Sequence, residues 1–84
     1  MGMPAYAVSV RDIYNDITVY RMTFTAENDN EAWEYVEDLM KDMEEEGWDC
    51  MYTVFRPGYI CSKVECVDDK CHKMKYQIIL ESLD

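Results

Sequence analysis

Four cysteines and a single histidine are the residues of this 84-residue chain best suited to metal or redox chemistry. Their spacing is C-x4-C-x4-C-H, preceded by one earlier cysteine, and the set comprises Cys50, Cys61, Cys66, Cys71 and His72. Structural zinc sites usually pair two cysteines across a gap of two to four residues and then add a second such pair. The gaps here do not follow that pattern. We therefore expect no metal and no other cofactor.

The last two cysteines are expected to be close neighbours. A two-residue turn at Asp68 and Asp69 would place Cys66 directly opposite Cys71 on adjacent strands. No apolar run in the sequence reaches the length of a signal peptide core or a membrane span, so we expect a cytoplasmic protein with reduced thiols. A Cys66–Cys71 disulfide formed under oxidising conditions and a metal site are the alternatives.

The sequence contains no arrangement typical of an active site. Neighbouring strand residues point to opposite faces, which argues against a thiol–imidazole pair between Cys71 and His72. Three glycines form no phosphate-binding loop, and carboxylates on a water-exposed helix lack the burial that tunes a catalytic pKa. We expect a protein without enzymatic activity.

Negative charge is concentrated in residues 27–49, which hold eleven acids and one lysine and so account for the whole net charge of −10. The other residues contain seven acids and seven bases. Within the acidic segment, carboxylates recur at the three- and four-residue spacing that aligns side chains on one helix face. They are Glu31, Glu34, Asp38, Asp42 and Glu45.

This acidic face is interpreted as a binding surface for a basic protein. Exposed helices usually mix charges of both signs and gain ion pairs between residues four apart, whereas this helix does not. Tyr35 lies beside the face and is a candidate interface anchor, because aromatic residues are common at binding hot spots. The alternatives are a merely solvated helix face and a tyrosine half-packed on the sheet.

The periodicity of the sequence predicts the elements that position these residues. Segments 5–12 and 17–26 are rich in β-branched and aromatic residues and read as a hairpin with its turn at Asn15 and Asp16. Asn28 is a candidate N-cap, and Gly47 is suited to end a helix. Three more strands are expected, separated by turns at Pro57-Gly58 and Asp68-Asp69, at residues 50–56, 59–66 and 71–80.

The predicted fold class is α+β, in the order ββαβββ: an antiparallel sheet of about five strands with one amphipathic helix on one face. Residues 1–84 are expected to form a single domain, with residues 1–2 resembling a cloning remnant. The helix turns one apolar face to the sheet, made by residues within about 60° of Val36. Strands 17–26 and 71–80 have apolar residues on both sides, so we expect a second copy or a partner to cover the other sheet face.

The stretch MTFTAENDNEAWEYVEDLM, residues 22–40, resembles the strand-then-helix opening of small proteins from phages and mobile elements. In size, acidity and its single acidic helix, the chain resembles phage-encoded anti-CRISPR inhibitors and related DNA-mimic proteins. That class has no common fold, so no residue role is transferred from it. The resemblance implies a cytoplasmic inhibitor that binds a bacterial nucleic-acid-handling complex and blocks access of DNA.

The expected partner is thus a protein with a basic, nucleic-acid-binding surface, rather than nucleic acid itself or a membrane. One alternative is a self-associating structural or regulatory module, such as a homodimer, that uses the uncovered sheet face. Another is a small metal-binding module built on Cys61, Cys66, Cys71 and His72, with Cys50 as a possible further ligand.

Overall fold

The computed structural model describes residues 2–54 and 58–84. Within them the chain forms five strands and one helix in the predicted order ββαβββ. The elements are β1 Ala5–Asp12, β2 Ile17–Thr25, α1 Asp29–Glu45, β3 Asp49–Thr53, β4 Gly58–Val67 and β5 Lys70–Ser82. The strands make an antiparallel sheet in the order β2-β1-β5-β4-β3. The predicted α+β class is confirmed.

The hairpin between β1 and β2 forms where the polar turn residues predicted it. Asp12 accepts hydrogen bonds from the backbone N–H of Asn15 (3.1 Å) and from its side-chain amide (2.7 Å). Asp16 adopts a positive φ of 57° and pairs with Arg11. These local contacts are typical of Asx-stabilised turns, which is why Asn and Asp at these positions predict one.

Both ends of α1 follow the predicted capping residues. The side chain of Asn28 accepts a hydrogen bond of 2.9 Å from the backbone N–H of Glu31. At the other end, Gly47 has a φ of 97°, a left-handed conformation that suits glycine after a helix. The hydroxyl of Tyr6 in β1 donates to Asp29 at 2.7 Å and so ties the first helical turn to the sheet. This hydrogen bond to Asp29 is the largest of the effects that raise the pKa of Tyr6.

The hydrophobic core lies between α1 and one face of the sheet. Ala32 and Val36 are fully buried on the helix side, and Met43 is nearly so. Central strands supply the other half of the core, with buried side chains from Val8, Val10, Cys61 and Ile78. The predicted apolar face of the helix is the face that packs on the sheet.

The connection between β3 and β4 differs from the prediction. β3 ends at Thr53, and residues 55–57, which include Pro57 of the predicted turn, lie outside the described residues. Gly58 begins β4 instead of completing a turn. A Cβ atom at Gly58 would lie 1.9 Å from the backbone oxygen of Ile78, so this glycine is required by close strand packing.

The second sheet face shows a mixture of apolar and polar groups. By strand alternation it includes Ala7, which is fully buried, and the half-buried Ile60 and Ile79. Val19 (44% exposed) and Met51 (69% exposed) also lie there. Coverage of this face by a second copy or a partner stays a prediction.

The β4–β5 hairpin forms an extension of the molecule, whose overall dimensions are 56 × 23 × 21 Å. Residues 64–73 of this hairpin are all exposed. At the tip, Asp68 and Asp69 have positive φ values of 51° and 64°, as a two-residue hairpin turn requires. Cys66 consequently lies directly opposite Cys71, and the predicted register is confirmed.

The prediction of reduced thiols is wrong, because all four cysteines form disulfides. Cys66 bonds to Cys71, and Cys50 of β3 bonds to Cys61 of β4. Both bonds join residues that face each other on neighbouring antiparallel strands, at Cα–Cα distances of 4.0 Å. Direct cross-strand opposition brings the two Cβ atoms close enough for their Sγ atoms to bond.

Candidate protein-docking surface

The predicted binding residues line the side of α1 that faces away from the sheet. Four of the five carboxylates are exposed, and Glu31 at the first turn is half-buried. The name acidic ridge is used below for the set Glu31, Glu34, Asp38, Asp42 and Glu45. The helix and its packing against the sheet hold these side chains along one direction, with neighbours about 5–6 Å apart.

The acidic ridge is not neutralised by bases elsewhere in the described residues. Among residues 2–54 and 58–84 the ion pairs are Arg11 with Asp16 and Lys63 with Glu65, and neither involves α1. Lys41, the single base of the helix, is exposed and forms no ion pair within that part of the chain. The carboxylates therefore present their charge to solvent.

Tyr35 stands between the acidic ridge and the sheet. Its ring stacks on Phe24 of β2 with centroids 4.2 Å apart, and 40% of the residue remains exposed. The ring is thus held by packing while part of it stays accessible. The tyrosine is half-packed on the sheet, as one of the two interpretations predicted, and its role as an interface anchor stays a prediction.

The charges at the end of α1 act against helix stability. The helix has acids in its first turn, where the dipole favours them, but no base in its last turn. Glu44, Glu45 and Glu46 sit there instead, at the end where the dipole is negative. An exposed charge of the favourable sign would stabilise this end by about 0.3–1 kcal/mol. The distribution of acids along α1 is therefore not the one that helix stability selects.

The flank of α1 opposite Tyr35 has acids beside an aromatic cluster. Burial raises the pKa of Tyr59, and the nearby carboxylates of Glu37 and Glu44 raise it further. The ring of Tyr59 lies 5.8 Å from that of Trp33 and 5.9 Å from that of Tyr52. Negative charge consequently extends from the acidic ridge toward β3 and β4.

A shallow groove of about 170 Å³ lies between α1 and the edge strand β2. Its walls include Tyr20 and Tyr35, with Met22 and Leu39 at its floor. This groove was not predictable from the sequence, because it exists only if β2 is at the edge of the sheet and strand order is not readable from one sequence. Tyr20, an aromatic residue in a strand rich in β-branched residues, was the signal available in the sequence.

The alternative metal site loses its ligands in this structure. Cys61, Cys66 and Cys71 are consumed in disulfides, and His72 is exposed on β5 opposite Glu65. Within the described residues, no three His, Cys, Asp or Glu side chains are grouped so as to hold a metal ion.

Comparison with known protein families, curated proteins and solved structures gives no match. None of the helical segments in residues 2–54 and 58–84 has the length and apolar content needed to cross a membrane.

Proposed function

We propose that this protein is a non-enzymatic, protein-binding inhibitor whose acidic ridge docks onto a basic, nucleic-acid-binding surface of a bacterial defence complex. Occupying that surface keeps DNA from its site, as anti-CRISPR and DNA-mimic proteins do. The observation that supports the proposal most is the row of exposed carboxylates without ion-pair partners in the described residues.

The dimensions of the acidic ridge suit this role. Residues 31–45 extend over roughly 21 Å at 1.5 Å per residue. Five carboxylates over that length are about 5 Å apart, whereas one DNA strand presents a phosphate per ~3.4 Å of helix axis. The ridge thus offers a charge density of the same order as one strand. A groove whose Lys and Arg side chains bind the phosphate backbone of DNA would attract the acidic ridge by the electrostatic steering that attracts DNA.

The unfavourable placement of acids at the end of α1 also supports a binding role. A helix selected only for stability and solubility would place bases in its last turn. Here Glu44, Glu45 and Glu46 occupy it. A charge arrangement that lowers stability is often maintained by function, as at other functional sites.

The proposed location is the cytoplasm, where defence complexes that handle nucleic acid operate. Thiols in that compartment are kept reduced, and structural disulfides are rare there. The proposal therefore requires that the sheet and α1 hold together with four thiols in place of the two disulfides. The core around Val8, Val36 and Ile78 does not include the Cys66–Cys71 bond at the hairpin tip, whereas Cys61 of the other disulfide belongs to it.

The first test is capture from bacterial lysate by immobilised protein, followed by mass spectrometry. In the ridge variant, Glu34, Asp38 and Asp42 are replaced by Lys, which changes the net charge from −10 to −4 because each replacement adds two charges. We expect it to lose nucleic-acid-handling partners that the parent captures at low salt and releases at high salt.

The matched variant controls for net charge. In it Lys replaces Glu27, Asp49 and Glu81, which are exposed and lie outside the acidic ridge. Its net charge is therefore also −4. We expect it to capture the same partners as the parent. Equal capture by the ridge variant would mean that the acidic ridge only keeps the protein soluble.

A second candidate function is self-association through the uncovered sheet face. It is favoured by apolar side chains exposed there, above all Met51 (69%) and Val64 (60%). Under this alternative, Met51→Lys with Val64→Lys abolishes a dimer seen by size-exclusion chromatography with light scattering, while the ridge variant leaves it intact. A strict monomer at high concentration would exclude it.

A further inference from the structure

The outer edge of β2 has the properties of a strand that can accept another. In the described sheet β2 is hydrogen-bonded on one side only, to β1. From Tyr20 to Thr25 it pairs with β1 in regular register, and the bulge opposite Val10 and Arg11 disturbs only its first part. Edge strands are usually protected by prolines, several charges or short length. This nine-residue strand has no proline and a single charge, Arg21.

The groove beside this edge is apolar at its base and acidic at its rim. Val8, Met22 and Leu39 form the base. The hydroxyl of Tyr20 lies 3.5 Å from the sulfur of Met22, so the tyrosine side chain extends along the strand toward Met22. Asp38 and Asp42, two members of the acidic ridge, line the helix side of the groove.

We propose that the β2 edge and this groove bind an extended basic segment of a partner protein by strand addition. The backbone of the segment pairs with the free edge of β2, as in other complexes in which a peptide extends a sheet beside a groove. Every second side chain then enters the space between α1 and the added strand. Apolar side chains contact Tyr20 and Met22, and Lys or Arg side chains reach the carboxylates of Asp38 and Asp42.

The spacing of the two carboxylates fits such a segment. Asp38 and Asp42 are one helical turn apart, which places them about 5–6 Å from each other. Side chains on the same face of a strand recur every two residues, at about 6.6–6.8 Å. Two basic residues separated by one residue can therefore face both carboxylates at once.

A second copy of the chain is the less suitable occupant. Antiparallel pairing of two β2 strands around a twofold axis would put both helices on the same side of the joined sheet. The carboxylates of the two acidic ridges would then face each other across the junction and repel. A basic segment is instead attracted by these carboxylates. This charge complementarity is why we take the occupant to be basic.

The inference rests on the proposed function in taking the partner to be basic, and it adds which element of the partner binds and where. The probe is a fluorescein-labelled peptide of sequence TVTKTKTVT, in which Thr alternates with Val or Lys and one residue separates the two lysines. The control is a block peptide, TTTTTKKVV, which has the same composition and charge but groups its Thr, Lys and Val residues. We expect the probe to bind the full chain at least tenfold more tightly than the block peptide, as measured by fluorescence anisotropy at low salt.

Backbone methylation distinguishes strand addition from simple charge attraction. Two versions of the probe have N-methyl groups either at odd or at even positions, and only one set of amides can point at β2. We expect one version to lose at least tenfold in affinity and the other to bind like the parent peptide. Equal binding of both versions and of the block peptide would overturn the inference.

Protein variants locate the site on the chain. Tyr20→Lys puts a positive charge into the groove and should weaken binding of the probe at least tenfold. Thr23→Lys is on the same strand but points to the other sheet face, so it should leave binding of the probe unchanged. If Tyr20→Lys binds the probe normally, strand addition at this edge is wrong. If Tyr20→Lys binds the probe normally while the ridge variant still loses its captured partners, the proposed function stands without strand addition. If the ridge variant captures the same partners as the parent, the proposed function itself fails.

Discussion

At the scale of single residues, the turn between β1 and β2 depends on one carboxylate that accepts two hydrogen bonds. Asp12 accepts from the side chain and the backbone of Asn15, and the pKa of Asp12 is lowered because these bonds favour its charged form. The side-chain bond is the larger of the two effects. The carboxylate thus contributes to the stability of the turn only while it is ionised.

Replacing Asn15 by Ala should raise the pKa of Asp12 toward its ordinary value. Because the folded-state pKa is lowered, the stabilisation is present above the unfolded-state pKa and is lost as pH falls through the folded-state pKa. The variant should therefore lose less stability than the parent on acidification. Carbon-13 NMR titration of the Asp12 carboxyl group measures the shift directly.

Asn30→Ala serves as the control for this titration, because Asn30 is exposed in the first turn of α1, away from the hairpin turn. It should leave the Asp12 titration unchanged. An Asp12 titration that is the same in the parent and in Asn15→Ala would show that the hydrogen bond from the side chain does not stabilise the charged form.

At the scale of elements, α1 combines a packing face that stabilises the fold with a solvent face that does not. Val36 and its apolar neighbours fix the helix on the sheet, whereas the acids in the last turn oppose the helix dipole. Stability and binding should therefore respond in opposite directions to a change of charge at that end.

Glu45→Lys tests this opposition. The lysine has the sign that the helix end favours, so we expect a gain of roughly 0.5 kcal/mol and a rise in Tm of about 2–4 °C. The same change removes one carboxylate of the acidic ridge and should weaken partner capture. Thermal melting followed by circular dichroism gives the first result. A lower Tm together with unchanged capture would contradict both expectations.

The two disulfides are the second element-scale feature, and the proposed cytoplasmic location requires the fold to survive their reduction. They span sequence separations of 11 and 5 residues, so each should stabilise the fold by about 2–3 kcal/mol in the loop-entropy description. We expect the reduced protein to melt at a lower temperature but to keep its circular dichroism spectrum at 25 °C.

Paired substitutions assign the effect of reduction to one bond or the other. Cys66→Ser with Cys71→Ser changes exposed positions at the hairpin tip and should leave the core intact. Cys50→Ala with Cys61→Val affects the fully buried Cys61 and should lower the Tm further. Loss of the folded spectrum on reduction alone would exclude a cytoplasmic inhibitor with this fold.

Local features of the structure were predictable from the sequence, because each depends on residues a few positions apart. The Asn28 cap, the Gly47 terminus and the opposition of Cys66 and Cys71 all belong to this kind. Each is determined by a turn or a cap whose geometry has a residue signature.

Features that depend on long-range pairing were not predictable in the same way. A turn centred on Pro57 and Gly58 would pair Cys50 with residue 65, but β3 and β4 pair with Thr53 opposite Gly58, which brings Cys50 to Cys61. The groove beside β2 depends on strand order, for which one sequence has no signal. The direction of the acidic ridge, in contrast, follows from helix periodicity alone.

At the scale of the whole molecule, charge is distributed unevenly along the elongated shape. The acidic segment 27–49 accounts for the net charge of −10, while residues 58–82 of the β4–β5 hairpin contain four lysines and four acids and so add no net charge. Such a distribution orients the molecule in the field of a basic partner before contact. Binding should accordingly weaken steeply as salt screens the attraction.

Displacement of DNA tests the central claim most directly. The measurement is fluorescence anisotropy of labelled target DNA on a panel of purified, guide-RNA-loaded CRISPR effector complexes, titrated with this protein. We predict that the parent and the matched variant release DNA from at least one complex, and that the ridge variant needs at least tenfold more protein. Equal release by the ridge variant, or no release from any complex of the panel, would contradict the account.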